Sequence, residues 1–193
     1  MNTLDDRELA RLAANGNMAA IESLYRRHYP LLLSFGIKYY ADREFVRDCI
    51  QDLYVKIISR SNSLRQVEYV RSWLLVSLKN IMFDRLKVLR PYTPLDELPF
   101  TNIDAELTSF TRAEGLDDEE LRTRREMVEA FAALSGQQRM AIYLHFVKGM
   151  SHREVAAFLD INVQSSKNLL FRALSKMRRS MLPALLAAIA AIG

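Results

Sequence analysis

What this 193-residue chain lacks narrows both its fold and its chemistry. It has a single cysteine, Cys49, which excludes an internal disulfide framework and supplies no thiolate set for zinc; such usage suits a reducing cytoplasm. Its three histidines, His28, His145 and His152, are dispersed, and a metal site needs three or four ligands, so no metal or other cofactor is expected. No Gly-rich phosphate loop and no H-E-x-x-H pattern occurs, so nothing supports an enzyme. The N-terminus, MNTLDDRELA, is polar and acidic where a secretory signal would be basic and then apolar. The apolar run Leu182 to Ile192 falls far short of the roughly 20 residues that cross a membrane, and helix packing or partner contact suits it better than a membrane surface. Strand alternation and hairpin signals are missing from the first half, and no repeat of solenoid length appears. The fold class that remains is all-α.

Charge divides the chain into blocks. Residues 1–90 carry net +5, residues 91–120 carry net −8 and residues 121–193 carry net +7. Two basic modules joined by an acidic connector suit two nucleic-acid-facing domains and a segment that avoids nucleic acid. Three of the five prolines (Pro91, Pro94, Pro99) fall in that connector. We therefore read four parts: a helical domain over 1–90, an acidic linker over 91–120, a second helical domain over 121–182, and an apolar tail over 183–193.

In the first domain, Asp5 or Asp6 caps a helix carrying Leu9 and Leu12 that stops near Asn15 and Gly16. Asn17 opens a second helix with Ile21, Leu24 and Tyr25 inward and Arg26 and Arg27 outward, with a break or kink expected at Pro30. The segment Asp42 to Arg60 winds Val46, Ile50, Leu53 and Ile57 onto one side. Glu44, Asp48, Gln51, Asp52, Val55 and Ser59 form the other. An acidic surface helix is the plain reading; an apolar Val55 ringed by polar groups suits a docking face. After the polar loop Ser61 to Glu68, a helix from Tyr69 to Leu89 is apolar nearly all round. Its one polar strip is Trp73, Ser77, Asn80, Asp84 and Lys87, with Lys79, Arg85 and Arg90 nearby. Such a strip suits unpaired bases, although a core role is the plainer reading of Trp73 itself.

In the second domain a helix from about Asp118 to Leu134 leads into three short ones. Ser135 caps the first, which carries Met140, Leu144 and Val147 and ends at Gly149. Ser151 and Glu154 form a capping box on the second, which turns Val155, Ala156 and Leu159 inward. Asp160 and Ile161 make a turn, and Asn162 caps the third. That helix buries Val163, Ser166, Leu170, Ala173 and Met177 and presents Gln164, Asn168, Phe171 and Ser175, flanked by Lys167 and Arg172. This is a helix-turn-helix pattern whose outer face could read base edges in a major groove, although spacing alone fits a bundle helix too.

Three ordered segments, SLYRRHYPLLLSFGIKYYADREFVRDCIQDLYVKI, WLLVSLKNIMFDRLK and LSGQQRMAIYLHFVKGMSHREVAAFLDINVQSSKNLLFRALSKMRR, resemble the extracytoplasmic-function (ECF) group of sigma-70 superfamily sigma factors. The resemblance implies a sigma-2 bundle and a sigma-4 helix-turn-helix. It implies docking on the β′ clamp helices of core RNA polymerase through Asp48, Gln51 and Asp52, followed by Tyr54, Val55 and Lys56, with the β flap as a further polymerase contact. The loop beginning Ser61, Asn62, Ser63, Leu64 and Arg65 corresponds to one that captures a flipped minus-ten base. Asn80 matches an Asn the family places near the melted strand, Lys79 and Lys87 match its basic positions, and Trp73 is counted with them as a minus-ten candidate. Gln164, Ser165, Lys167, Asn168, Phe171 and Arg172 match minus-thirty-five contacts. Ser166 stands where the family commonly has Val, and Leu169 where it often has a polar residue. His145, His152 and Arg153 stand where it often has Arg, Tyr and Glu, and the two histidines are read as meeting DNA backbone or solvent. The function so implied is a cytoplasmic promoter-specificity factor held by an anti-sigma partner and not inserted in a membrane. A stand-alone helix-turn-helix regulator binding duplex DNA as a dimer is the competing expectation.

Overall fold

The computed structural model of the chain describes residues 4–59, 64–89 and 118–192, from 180 onward by backbone alone. The described residues form eight α-helices and no strand. Contacts divide the chain into two compact units, residues 1–99 and 100–193.

The first unit holds α1 (Asp6–Ala14), α2 (Met18–Tyr39), α3 (Arg43–Ser59) and α4 (Val70–Leu89). Three of them start on side chains that satisfy orphan amides. Asp5 accepts from the Glu8 N–H at 2.8 Å, Asn17 from the Ala20 N–H at 3.0 Å, and Asp42 from the Phe45 N–H at 3.1 Å. Helix α4 packs against each of the other three. Leu74, Leu75, Leu78 and Met82 of α4 are fully buried with Leu9, Leu24, Leu32, Phe35, Ile50, Leu53 and Ile57. Gly36 sets the approach of α2 to α3, because a Cβ there would overlap Val46 Cγ1.

Helix α2 runs unbroken through Pro30, against the break expected there. The proline ring faces solvent, while Leu24 and His28 before it and Leu32, Leu33 and Phe35 after it are all buried. Losing one intrahelical bond at an exposed position is offset by anchoring both halves in one core. Tyr25 also departs from expectation: it is partly exposed, 5.2 Å from Tyr29 and edge-on to Tyr54 at 5.0 Å.

Helix α1 is pinned to α2 by charge. Arg27 reaches Asp6 Oδ1 at 2.7 Å and the Leu4 carbonyl at 3.0 Å. His28 Nε2, buried, lies 3.0 Å from Asp6 Oδ2, within ion-pair range although off the line of a good hydrogen bond.

The second unit holds α5 (Asp118–Ala132), α6 (Gly136–Ile142), α7 (His152–Leu159) and α8 (Val163–Ile192). Helix α8 packs on the other three. Ser135 with Gln138, and Ser151 with Glu154, form complete capping boxes, and Asn162 accepts from the Ser165 N–H at 2.7 Å. Gly149 (φ +62°) and Asp160 (φ 54°) adopt the left-handed conformation at the two turns.

After Ile142 the chain widens into a π turn, Tyr143–Val147, closed by the Lys148 N–H on the Tyr143 carbonyl at 3.0 Å. The i→i+5 pattern rotates the last residues off the α-helical face. Met140 and Leu144 stay buried as expected, but Val147 is 63% exposed. Phe158, rather than Leu159, fills the core beside Val155 and Ala156. Val163, at the first turn of α8, is exposed, while Ser166, Leu170 and Ala173 are buried and Met177 half-buried. Helix α8 continues to Ile192, but the side chains of the apolar tail lie outside the described residues. Among the described residues no helix is long and apolar enough to cross a membrane.

The Asp6 carboxyl is held down to about 2, from 3.8, first by His28 and then by Arg27, against the opposing effect of burial. A carboxylate lowered on folding stabilises the native state above its unfolded pKa and loses that stability as pH falls through the folded one. Asp6→Asn should therefore flatten the acid limb of the stability curve between about pH 4 and about pH 2. Urea titrations across that range check it, and an unchanged limb would rule out the pair as its source.

Candidate nucleic-acid interface

Helix α3 turns Val46, Cys49, Ile50, Leu53 and Ile57 inward, and this burial leaves Glu44, Asp48, Gln51 and Ser59 exposed around Val55, itself 55% exposed. Asp52 is only half-exposed, because Arg85 of α4 reaches across to it at 2.5 Å. Arg85 Nη2 and Asp52 Oδ2 thus tie the acidic face to the helix behind it. The Cys49 thiol below them is fully buried, which pushes its pKa up to about 11 and makes it inert. Tyr54 corrects the expected docking set. It is 6% exposed, packs edge-on against Tyr25, and has its hydroxyl pushed above the ordinary range by burial, so it holds α3 to α2 instead of facing a partner.

One turn beyond Asp52, Lys56 leaves the acidic face and joins the α4 strip. A groove of about 240 Å³ opens between the two helices, lined by Leu53, Lys56, Trp73, Ser77, Asn80, Ile81 and Asp84. Four of the five strip residues fall in this one concavity; Lys87 is exposed a turn further on. Trp73 is half-buried and lines the groove with part of its ring while the rest packs inward. Lys79 is also half-buried, and desolvation lowers its pKa. The Ser61–Glu68 loop is described only from Leu64. Ser61, Asn62 and Ser63 lie outside the described residues, Leu64 is buried as the anchor of the loop, and Arg65 is exposed. Arg7 of α1 grips the end of that loop through the Glu68 carboxylate at 2.8 Å and its carbonyl at 3.2 Å.

On α8 the face opposite the buried stripe is open. Gln164, Lys167, Asn168 and Arg172 are exposed, and Phe171 is 72% exposed. Gln164 Nε2 donates to Asn168 Oδ1 at 3.1 Å, which orients two exposed amides one turn apart on the same face. Ser165 is half-buried at the helix start. Neither Arg7 nor the contribution of Lys56 to the groove was legible in helical periodicity, since both depend on packing between helices.

Two family models match the chain in order: "Sigma-70 region 2" over residues 24–90 and "Sigma-70, region 4" over residues 124–177. Together they take in well over half of it. The chain belongs to the sigma-70 family of RNA polymerase sigma factors, in its extracytoplasmic-function group. This sigma factor is 23% identical over 168 residues to the RNA polymerase sigma factor CarQ of Myxococcus xanthus, covering 85% of this chain and 90% of CarQ. It is 21% identical over 168 residues to SigI of Mycobacterium tuberculosis, named a "Probable ECF RNA polymerase sigma factor", covering 85% of this chain and 56% of SigI. The chain thus spans little more than half the length of SigI. Among solved structures, CnrH in complex with the cytosolic domain of CnrY is 26% identical, with a TM-score of 0.56 over 95% of this chain and 97% of CnrH.

Ser166 of this sigma factor lies at the centre of the packing between α8 and its neighbours, fully buried, with no partner for its hydroxyl. A buried hydroxyl without a hydrogen bond costs on the order of 1–3 kcal/mol, so Ser166→Ala should raise unfolding free energy by about 1 kcal/mol. Denaturant midpoints measure it. A loss of stability would mean that the hydroxyl is satisfied within the core.

Proposed function

We propose that this sigma factor makes core RNA polymerase promoter-specific and directs transcription initiation. In this reading the first unit docks on the β′ clamp helices with the outer face of α3, where Asp48, Gln51 and Val55 form an apolar centre with a polar rim. The groove between α3 and α4 takes a base of the melted minus-ten strand, with the Trp73 ring stacking and Asn80, Ser77 and Lys56 supplying polar contacts. The second unit lays α8 in the minus-thirty-five major groove and contacts the β flap. Gln164, Asn168 and Phe171 meet base edges there, while Lys167, Arg172 and Ser165 meet the backbone. The acidic residues 91–120 connect the two modules and are kept off DNA by like charge. A second protein holds the factor when it is idle; CnrH, which this chain resembles, has been solved in complex with the cytosolic domain of CnrY.

The observation that carries the reading is the ordered pair of region matches, each coinciding with an exposed face of the required chemistry. Run-off transcription with core polymerase and a genomic fragment library tests it. Initiation from a defined subset of fragments is expected; none above core alone would end the proposal.

Asp48→Arg is the cleanest docking variant, since Asp48 is exposed, whereas Asp52→Arg would also set a cation against Arg85. We expect Asp48→Arg to abolish core binding without moving the thermal midpoint. Retained transcription would move the docking face elsewhere. Lys167→Ala with Arg172→Ala should weaken promoter binding and flatten its salt dependence by about one counterion per lost phosphate contact. An unchanged slope would take both residues off the DNA backbone.

A further inference from the structure

The two histidines of the second unit, on separate helical segments of the sequence, meet in the fold. His145 sits on the π turn and His152 is the first residue of α7, and their rings stack at 4.6 Å with planes 21° apart. His145 Nδ1 lies 2.7 Å from the Met150 carbonyl, an acceptor, so this nitrogen carries the proton and donates. That bond fixes one ring of the stack. The other ring has no such tie, because His152 Nδ1 is buried and meets no partner.

The charged and titratable groups around His152 come from three elements. His145 contributes from the π turn, Lys167 from α8, and Arg153 and Glu154 from α7 itself. The Glu154 carboxylate is engaged by the Ser151 N–H at 2.8 Å and hydroxyl at 2.9 Å, and the Lys148 ammonium lies over the Tyr143 ring at 5.1 Å. In the free protein, burial, His145 and Lys167 all act against a charge on His152 and lower its pKa. Lys167 is an exposed residue of the DNA-reading face, and His152 opens the helix whose N-terminal amides point the same partial charge outward.

We propose that the His145–His152 stack is a proton-linked contact to the DNA backbone, in which duplex binding by the second unit takes up a proton onto His152. The inference rests on the reading of α8 as a duplex-binding helix. A phosphate drawn against Lys167 and the start of α7 offsets the charge that opposed protonation and offers an acceptor to the ring. By reciprocity, a group that gains a proton on binding makes affinity rise as pH falls through the range where free and bound states differ. His145, its Nδ1 tied to the Met150 carbonyl, stays as the platform on which the His152 ring is stacked.

The test uses the full chain and a duplex from a promoter fragment recovered by run-off transcription. Its affinity is measured at constant ionic strength between about pH 7.5 and about pH 6. Wild-type affinity should rise about three- to tenfold across that range. Calorimetry in buffers of different ionisation enthalpy should show net proton uptake. His152→Gln, which keeps a donor that cannot titrate, should abolish both, whereas His145→Gln should keep the slope and move its midpoint to higher pH. A flat profile with measurable binding, or a slope that survives in His152→Gln and disappears in His145→Gln, overturns the assignment. If His152→Gln does not fold, the wild-type proton count decides. Absence of binding at every pH would overturn the duplex-binding reading itself, and this inference with it.

Discussion

Helix α4 is apolar on nearly every side, and burying it is the constraint on which the first unit depends. Leu74, Leu75, Leu78, Ile81, Met82 and Leu86 are all buried, and each such side chain contributes roughly 1.5–3 kcal/mol when removed from water. One neighbour cannot cover so broad a surface, so α1, α2 and α3 all pack on α4. What remains uncovered is the narrow polar strip from Trp73 to Lys87. The groove is therefore a consequence of core formation: it opens along the strip where the α4 sequence turns polar.

The second unit solves a different problem. Helices α6 and α7, with 7 and 8 residues, are too short to persist in water by propensity alone. Capping boxes at both starts and left-handed residues at Gly149 and Asp160 supply the local order, and the buried stripe of α8 supplies the tertiary anchor. The π turn at the end of α6 adds a residue to the coil, which turns Val147 out and brings His145 over His152. Local backbone geometry thus decides which side chains surround the start of α8.

Features governed by short-range chemistry were legible in the sequence. Asp5, Asn17, Ser135, Ser151 and Asn162 all cap the helices expected of them, because a cap depends on residues three positions away. The α3 core stripe and the open face of α8 follow from periodicity alone. Features set by packing were not. Pro30 reads as a break until the buried residues on both sides of it hold α2 straight. Tyr54 and Leu64 read as contact residues from the family resemblance, yet both are buried, Tyr54 against Tyr25 of α2. The His145–His152 stack is invisible to spacing, since it requires a π turn that no pattern announced.

The ion pair of Asp52 with Arg85 joins these themes. It is partly exposed on both sides, and such pairs contribute at most about 1 kcal/mol, so its importance is orientation more than stability. Asp52 belongs by position to the acidic face of α3, while Arg85 follows Asp84, which lines the groove. A partner that competed for the Asp52 carboxylate would release Arg85 at small energetic cost, one residue from the groove wall. The pair is thus an electrostatic link between the acidic face of α3 and the wall of the groove. The division of α3 into an outer face headed by Asp48 and Gln51 and an inner edge formed by Asp52 and Lys56 is what makes that link possible.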